Sequence, residues 1–189
     1  QLMNYHQRQL YTYQSTTPER SNSQALEHDA RTWAASFEVL WKRLSRGLVI
    51  DTATPVLDLG CGAGKLLYFL REKGLNRTIG VDLDPASVAC ACSLGLNAVE
   101  GDAPAFLRDN SGPYGLIFAL DLLEHLSKDD AVMLLERANA ALLSGGALIV
   151  KIPCADSYYG AAHVFNDITH PVSYTHLRAH ETPEHLVCR

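Results

Sequence analysis

A chain of 189 residues, 47% of them apolar, is long enough for one domain with a sizeable core and too ordinary in composition for a disordered or fibrous protein. Its formal charge of −5 gives no general attraction to nucleic acid or to an anionic membrane. No apolar run approaches the roughly 18 residues of a membrane span, no secretory signal is visible, and the five cysteines lack disulfide or metal spacing, so a cytoplasmic protein with reduced thiols is expected.

Residues 1–23 are rich in Gln, Ser, Thr, Asn and Tyr without a clear period and read as an irregular N-terminal arm. From Gln24 to Arg46, Trp33, Phe37, Leu40, Trp41 and Leu44 recur at helical spacing, which predicts a helix with one apolar stripe that stops at Gly47. Its aromatic side chains are read as core packing rather than a ligand box. Strand and helix signals then alternate. Strands are predicted at Pro55–Leu59, Thr78–Asp82, Ala98–Glu100, Leu116–Leu120 and Ala147–Ile152, and helices at Gly64–Lys73, Pro85–Leu94, Ala103–Arg108 and Lys128–Leu143. Asp84 before Pro85 is a good N-cap, and Ser144-Gly145-Gly146 ends the last helix. Such alternation argues for an α/β fold, a doubly wound, mostly parallel sheet covered on both faces, in one domain from residue 24 to 171.

The end of the chain is set apart. Taken alone, His176, His180, His185 and Cys188 have a spacing that suits zinc. Residues 172–189 instead back-translate, in one continuous frame, to a transposase-type sequencing adapter interrupted by a variable index. They are read as a non-native tail, and no metal site is predicted. The natural chain then stops near His170 or Pro171, and the strand Ala147–Ile152 becomes an exposed apolar edge.

The most informative stretch runs from Val56 to Gly64. A short buried strand ending in Gly60, Gly62 and Gly64 reads as a sharp turn into a helix, where backbone can approach a ligand and helix N–H groups can face an anion. Asp82, at the end of the second strand about 20 residues on, is placed to accept from a ribose diol. Together these features make nucleotide binding the leading reading.

Over Thr54 to His170 the chain resembles the class I S-adenosylmethionine-dependent methyltransferases. DLGCGAG is similar to the first motif of that family, GVDLDP to the second, EGDA to the third, IFALDLLEHL to the fourth and LLSGGALIVKIP to the fifth-strand motif. The resemblance implies a Rossmann-like sheet of strand order 3-2-1-4-5, with the family's usual last two strands missing, and S-adenosylmethionine as cofactor. It implies that Asp58 takes the cofactor's amino group while Gly60, Cys61 and Gly62 pass beneath its methionine part. Asp82 would accept from both ribose hydroxyls. Asp102 would accept from the adenine amino group, the Ala103 N–H would donate to a ring nitrogen, and Leu83 and Leu120 would supply apolar walls. Simpler roles stand beside these: Asp58 capping the turn, Asp82 as a strand-end turn residue, Asp102 as an N-cap, and Cys61 as a small residue between glycines. Gly115 departs from the family, which usually opens the fourth strand with an acid.

A nicotinamide-dependent dehydrogenase is the rival on a similar sheet. There the third small residue of the glycine motif packs helix on strand, and that place is held here by Lys65. Asp58 would also stand close to a pyrophosphate.

Methyl transfer rests on in-line positioning and exclusion of water, with a general base only where the acceptor must lose a proton. His125, just past the fourth strand, is the candidate base, against a role in packing the next helix. Glu124 would orient it or face solvent. Pro153 to His170 resembles the post-strand loop of a bacterial branch of the family, so Tyr158, Asp167 and His170 are acceptor-side candidates, against ordinary loop packing. Asp121 to Glu124 lacks the Pro-Pro-aromatic segment of amino-methylating nucleic-acid enzymes, and Pro153-Cys154 follows the wrong strand for a cytosine methylase nucleophile. The expected acceptor is therefore a small molecule or glycan, methylated on oxygen, with no nucleic acid partner and no membrane insertion. A protein that binds S-adenosylmethionine without catalysis, or an inactive fragment, is the alternative from another class.

Overall fold

The computed structural model describes residues 23–152 and 186–188. The N-terminal arm, most of the C-terminal tail, and the loop carrying Tyr158, Asp167 and His170 lie outside the described residues. Helix α1 (Ser23–Gly47) leads into β1 (Val56–Leu59), α2 (Lys65–Glu72), β2 (Thr78–Asp82), α3 (Pro85–Ser93), β3 (Ala98–Glu100) and α4 (Ala103–Asp109). There follow β4 (Tyr114–Leu120), a 3-10 turn (Leu123–His125), α5 (Lys128–Ala141), β5 (Leu142–Lys151) and β6 (Leu186–Cys188). The strands form one sheet in the order β3-β2-β1-β4-β5-β6, the first five parallel and β6 antiparallel. This is the expected 3-2-1-4-5 order with one strand added.

Every residue of β1 is buried, as a central parallel strand covered on both faces requires. Successive side chains point to opposite faces, so the sheet builds two cores. Leu57, Leu59 and Ile117 pack beneath α4 and α5 with Leu107 and Leu134. Val56, Leu116, Phe118 and Ile149 pack beneath α1 and α2 with Leu44 and Leu70. Of that stripe on α1, Phe37 and Trp41 are core packing: Phe37 lies 5.7 Å from Phe69 of α2, and Trp41 meets the same ring edge-on at 6.2 Å. Lys73 and Glu38 close the same seam at 2.7 Å. Asp84 caps α3 as expected, accepting from the Ala86 and Ser87 N–H groups at 3.2 and 3.1 Å.

Beyond shifts of a residue at element ends, three features differ from expectation. Helix α5 stops at Ala141 and β5 begins at once at Leu142, where the helix was expected to continue to Leu143 and the strand to start at Ala147. Pairing of β4 with β5 jumps from Tyr114↔Leu142 to Leu116↔Ala147, so Leu143 to Gly146 form a bulge, with Gly145 at φ 79° absorbing it. Strand β4 opens at Tyr114. A side chain at Gly115 would put its Cβ 2.6 Å from Thr54 Cγ2, which accounts for glycine where the family usually carries an acid.

The third difference concerns the sheet edge. Leu148, Ile149 and Val150 of β5 pair with Cys188, Val187 and Leu186, so β5 is not the exposed edge expected from its sequence. An apolar strand with open N–H and C=O groups takes up any β-prone segment within reach, and Leu186-Val187-Cys188 is one. Deleting residues 172–189 is expected to uncover β5 and raise self-association in light scattering. Cofactor affinity should not change, because β4 and β5 separate β6 from β1 and β2. No helix among the described residues is long and apolar enough to cross a membrane.

Candidate functional site

The turn after β1 is built by backbone that side chains other than glycine's rarely allow. Gly60, Gly62 and Gly64 have φ of 73°, 52° and 79°. The Gly60 and Cys61 N–H groups both donate to the Val81 carbonyl, at 2.8 and 3.1 Å, which clamps the turn to β2. A Cβ on Gly64 would lie 2.6 Å from Leu96 Cδ1 and 3.0 Å from Ala91 Cβ, so this glycine lets α2 start against α3 and the loop beyond it. A Cβ on Gly62 would meet nothing within 4 Å. The turn is therefore closed on its sheet side and open above Gly62.

Asp82 holds the turn from β2. One carboxylate oxygen accepts from the Gly62 N–H at 2.7 Å and the other from the Asp84 N–H at 2.9 Å. Burial raises its pKa, and these N–H groups work against that rise. Each oxygen keeps a lone pair for a further donor, which is what a vicinal diol offers. The turn role and the ribose role are thus compatible.

Asp58 lies on the β1 face that carries Val56, toward α1, and is 3% exposed. Among the described residues its carboxyl accepts no hydrogen bond and meets no cation, so it does not cap the turn. Burial, and then the nearby Asp82 charge, push its pKa up to about 8. Cys61 points away from this space. A Cβ on Gly80 would come 2.6 Å from Cys61 Sγ, so the thiol fills the place of a missing side chain, beside Leu67, Tyr68 and Ala91. Burial lifts its pKa far above the ordinary range. A buried thiol held in its protonated form is a poor nucleophile, which agrees with the reading of Cys61 as a small residue between glycines. Gly80→Ala is expected to destabilise the fold by about 1–3 kcal/mol through overpacking against Cys61 and Leu67, read as a lowered Tm.

A cavity of about 440 Å³ opens over the strand ends, floored by Asp58, Gly60, Cys61 and Leu120 and walled by Phe37 and Leu40 of α1. Arg43, Lys65, Asp121 and Lys151 also line it, and none of these was anticipated as a site residue. Asp121 takes φ of 53°, a conformation uncommon for a side-chain-bearing residue, and its carboxylate meets Lys151 Nζ at 2.6 Å. Leu83, Asp102 and Ala103 follow β2 and β3 and do not line this cavity. Asp102 caps α4, accepting from the Ala105 N–H at 2.9 Å, and Leu83 is 41% exposed. Leu123, Glu124 and His125 form the 3-10 turn after β4. Glu124 is 2% exposed, so of its two expected placements the solvent-facing one is corrected: the turn buries it, as it does Leu123. His125 is half-buried.

A parallel sheet of this order, a glycine turn after β1 and an acid ending β2 define an α/β protein built to hold a nucleoside-containing cofactor. The family profile described as a methyltransferase domain matches residues 25–186, and the chain belongs to that family. A ribosomal protein L11 methyltransferase from Geobacter metallireducens is 33% identical over 106 residues, 54% of this chain and 33% of that relative. One from Cupriavidus taiwanensis is 36% identical over 99 residues, covering 51% and 31%. The chain spans about a third of the length of these curated relatives. An S-adenosylmethionine-dependent methyltransferase from Archaeoglobus fulgidus superposes with a TM-score of 0.66 at 24% identity, over 79% of this chain and 65% of that one. The structure of a Haloferax volcanii Trm112 activator with its methyltransferase gives 0.65 at 16% identity, over 94% and 74%. These two likenesses show the fold.

S-adenosylmethionine is the cofactor that family and fold imply, and the residues fit it. An open glycine turn, an acid with spare lone pairs and a second buried acid facing the cavity suit a ribose and an ammonium, with no pyrophosphate to be repelled. Family membership also sets aside the dehydrogenase reading.

Proposed function

We propose that this protein transfers a methyl group from S-adenosylmethionine to a hydroxyl of a small molecule or saccharide in the cytoplasm. The observation that carries the reading is Asp58, a buried carboxyl without a partner among the described residues, set beside the Gly62–Asp82 clamp. When bound, the cofactor supplies a methyl group already activated by its sulfonium. The chain's own work is positional. Asp82 would hold the ribose with its remaining lone pairs, and Asp58 the ammonium of the methionine end. Asp102 keeps one carboxylate oxygen beyond its cap for the adenine amino group, with the Ala103 N–H beside it. Leu83 and Leu120 would shield the purine and the methylene chain from water. His125 would accept the hydroxyl proton, oriented by the buried Glu124. Tyr158, Asp167 and His170 would meet the acceptor.

A second reading, methylation of a protein, is supported by the similarity to ribosomal protein L11 methyltransferases. A third is cofactor binding without turnover. The test is calorimetric titration with S-adenosylmethionine, followed by labelled methyl transfer to panels of saccharides and phenols and to isolated ribosomal protein L11. Transfer to a saccharide or phenol supports the proposal, and transfer to L11 alone replaces it with the second reading. Binding without any transfer leaves the third, and absence of binding sinks all three.

A further inference from the structure

The cofactor reading assigns the cavity floor at Asp58 and the glycine turn, and leaves the ends of the next two strands unexplained. Asp121, one residue past β4, and Lys151, the last of β5, both line the cavity there beside Leu120. Among the described residues Asp121 alone, glycines aside, has a positive φ, 53°. Its backbone N–H donates to the Lys151 carbonyl at 2.8 Å, and its carboxylate meets Lys151 Nζ at 2.6 Å. Stability does not account for this doubly tied residue. The two side chains are 49% and 47% exposed, and an ion pair so wet contributes little. Residues in rare backbone conformations cluster at ligand clamps, where the geometry is kept for what it aims. Here it aims an acceptor and a donor side by side. One Asp121 oxygen accepts nothing among the described residues, and the ammonium has two N–H groups beyond the one used in the pair.

We infer that the Asp121–Lys151 pair recognises a vicinal diol of the methyl acceptor, Asp121 accepting from one hydroxyl and Lys151 donating to its neighbour. Adjacent hydroxyl oxygens on a ring stand about as far apart as two hydrogen-bonded atoms, which is the spacing the pair presents. Both contacts are charge-assisted, so the pair discriminates against a compound with a single hydroxyl, which leaves one charge unmet. The inference rests on the methyl-transfer reading and narrows its acceptor to a sugar or catechol with neighbouring hydroxyls.

The test uses the full chain saturated with S-adenosylhomocysteine and two probe pairs, catechol against phenol and methyl α-mannoside against its 2-deoxy analogue. Affinities are read by ligand-detected NMR. The parent should bind at least one diol about tenfold more tightly than its partner, the scale of one charge-assisted hydrogen bond. Asp121→Asn and Lys151→Met should each erase that preference by weakening the diol alone, and Lys151→Arg should restore part of it. S-adenosylhomocysteine affinity and Tm should stay near the parent's in every variant. No preference in the parent, or equal loss for a diol and its partner, overturns the inference. A loss of S-adenosylhomocysteine affinity in the variants overturns it too, by returning the pair to the cofactor. Were the parent to bind no S-adenosylhomocysteine, the methyl-transfer reading would fall. An Asp121-dependent diol preference measured without the nucleoside would then still support the pair, and its absence would overturn it.

Discussion

Asp82→Ala is expected to weaken S-adenosylmethionine binding by at least about two orders of magnitude. Two hydrogen bonds from ribose hydroxyls to an ionised carboxylate are worth roughly 1.5–3 kcal/mol each, and every 1.4 kcal/mol or so is tenfold in Kd. A second loss compounds the first. Asp82 also accepts from the Gly62 and Asp84 N–H groups, so its removal frees the glycine turn that must lie beneath the cofactor. Those two donors face a part-buried corner and lose their acceptor, which costs about 1–3 kcal/mol where water does not replace it. The variant should therefore melt a few degrees lower as well as bind poorly. Asp82→Asn divides the two effects in part, since its amide oxygen can still accept from the Gly62 N–H while its NH₂ opposes both the Asp84 N–H and a hydroxyl donor. Its Tm should fall less than that of Asp82→Ala, because one of the two backbone acceptors is kept, while calorimetry shows the affinity reduced. Unchanged affinity in Asp82→Ala would contradict the ribose assignment.

Much of this arrangement was legible because it is local. The run Val56 to Leu59, the glycines after it and Asp84 before Pro85 each specify backbone conformation within a few residues, and the strand order followed from the family's motif order. The bulge at Leu143–Gly146 was not legible, because Ser144-Gly145-Gly146 serves equally well as a helix stop or as a kink within a strand. The choice is made by pairing with β4, a non-local contact. Pairing of β5 with Leu186-Val187-Cys188 lies further still from anything a local pattern encodes. At the site, Asp58, Gly60 and Leu120 were found through strand ends, whereas Arg43 and Lys151 were missed. A signal for Lys151 existed: Ala147, Ile149 and Lys151 alternate onto one face, as do Val56 and Asp58, and Leu116, Phe118 and Leu120. That face carries α1, so strand parity would have placed Asp58, Leu120 and Lys151 in one space. Arg43 had no such signal, because the stripe on α1 records that the helix packs and not which strand ends it overhangs.

The ligand-free protein is expected to lose stability as pH rises from about 4 to about 8, and Asp58→Asn to remove most of that loss. The Asp58 carboxyl has its pKa pushed up to about 8 in the folded chain, from an ordinary 3.8. Below that ordinary value it is protonated folded or unfolded and its stabilisation is fully present. Between the two values the unfolded chain has released a proton that the folded chain still holds, so each pH unit shifts the balance toward unfolding by up to about 1.4 kcal/mol. Above pH 8 the full penalty of a buried carboxylate beside Asp82 is in place. Denaturant midpoints measured at pH 5, 7 and 9 should fall steadily for the parent and stay nearly level for Asp58→Asn. Binding reverses the sign. An ammonium against Asp58 favours its carboxylate, so at pH 7 the cofactor must displace a proton, and affinity should rise toward pH 8. An α-amino group itself titrates near 8, so above that pH the ligand loses the charge Asp58 needs and affinity falls again. Calorimetry at pH 7 in buffers of different ionisation enthalpy should therefore report close to one proton released per cofactor bound. A binding enthalpy that does not vary with the buffer would remove Asp58 from the ammonium.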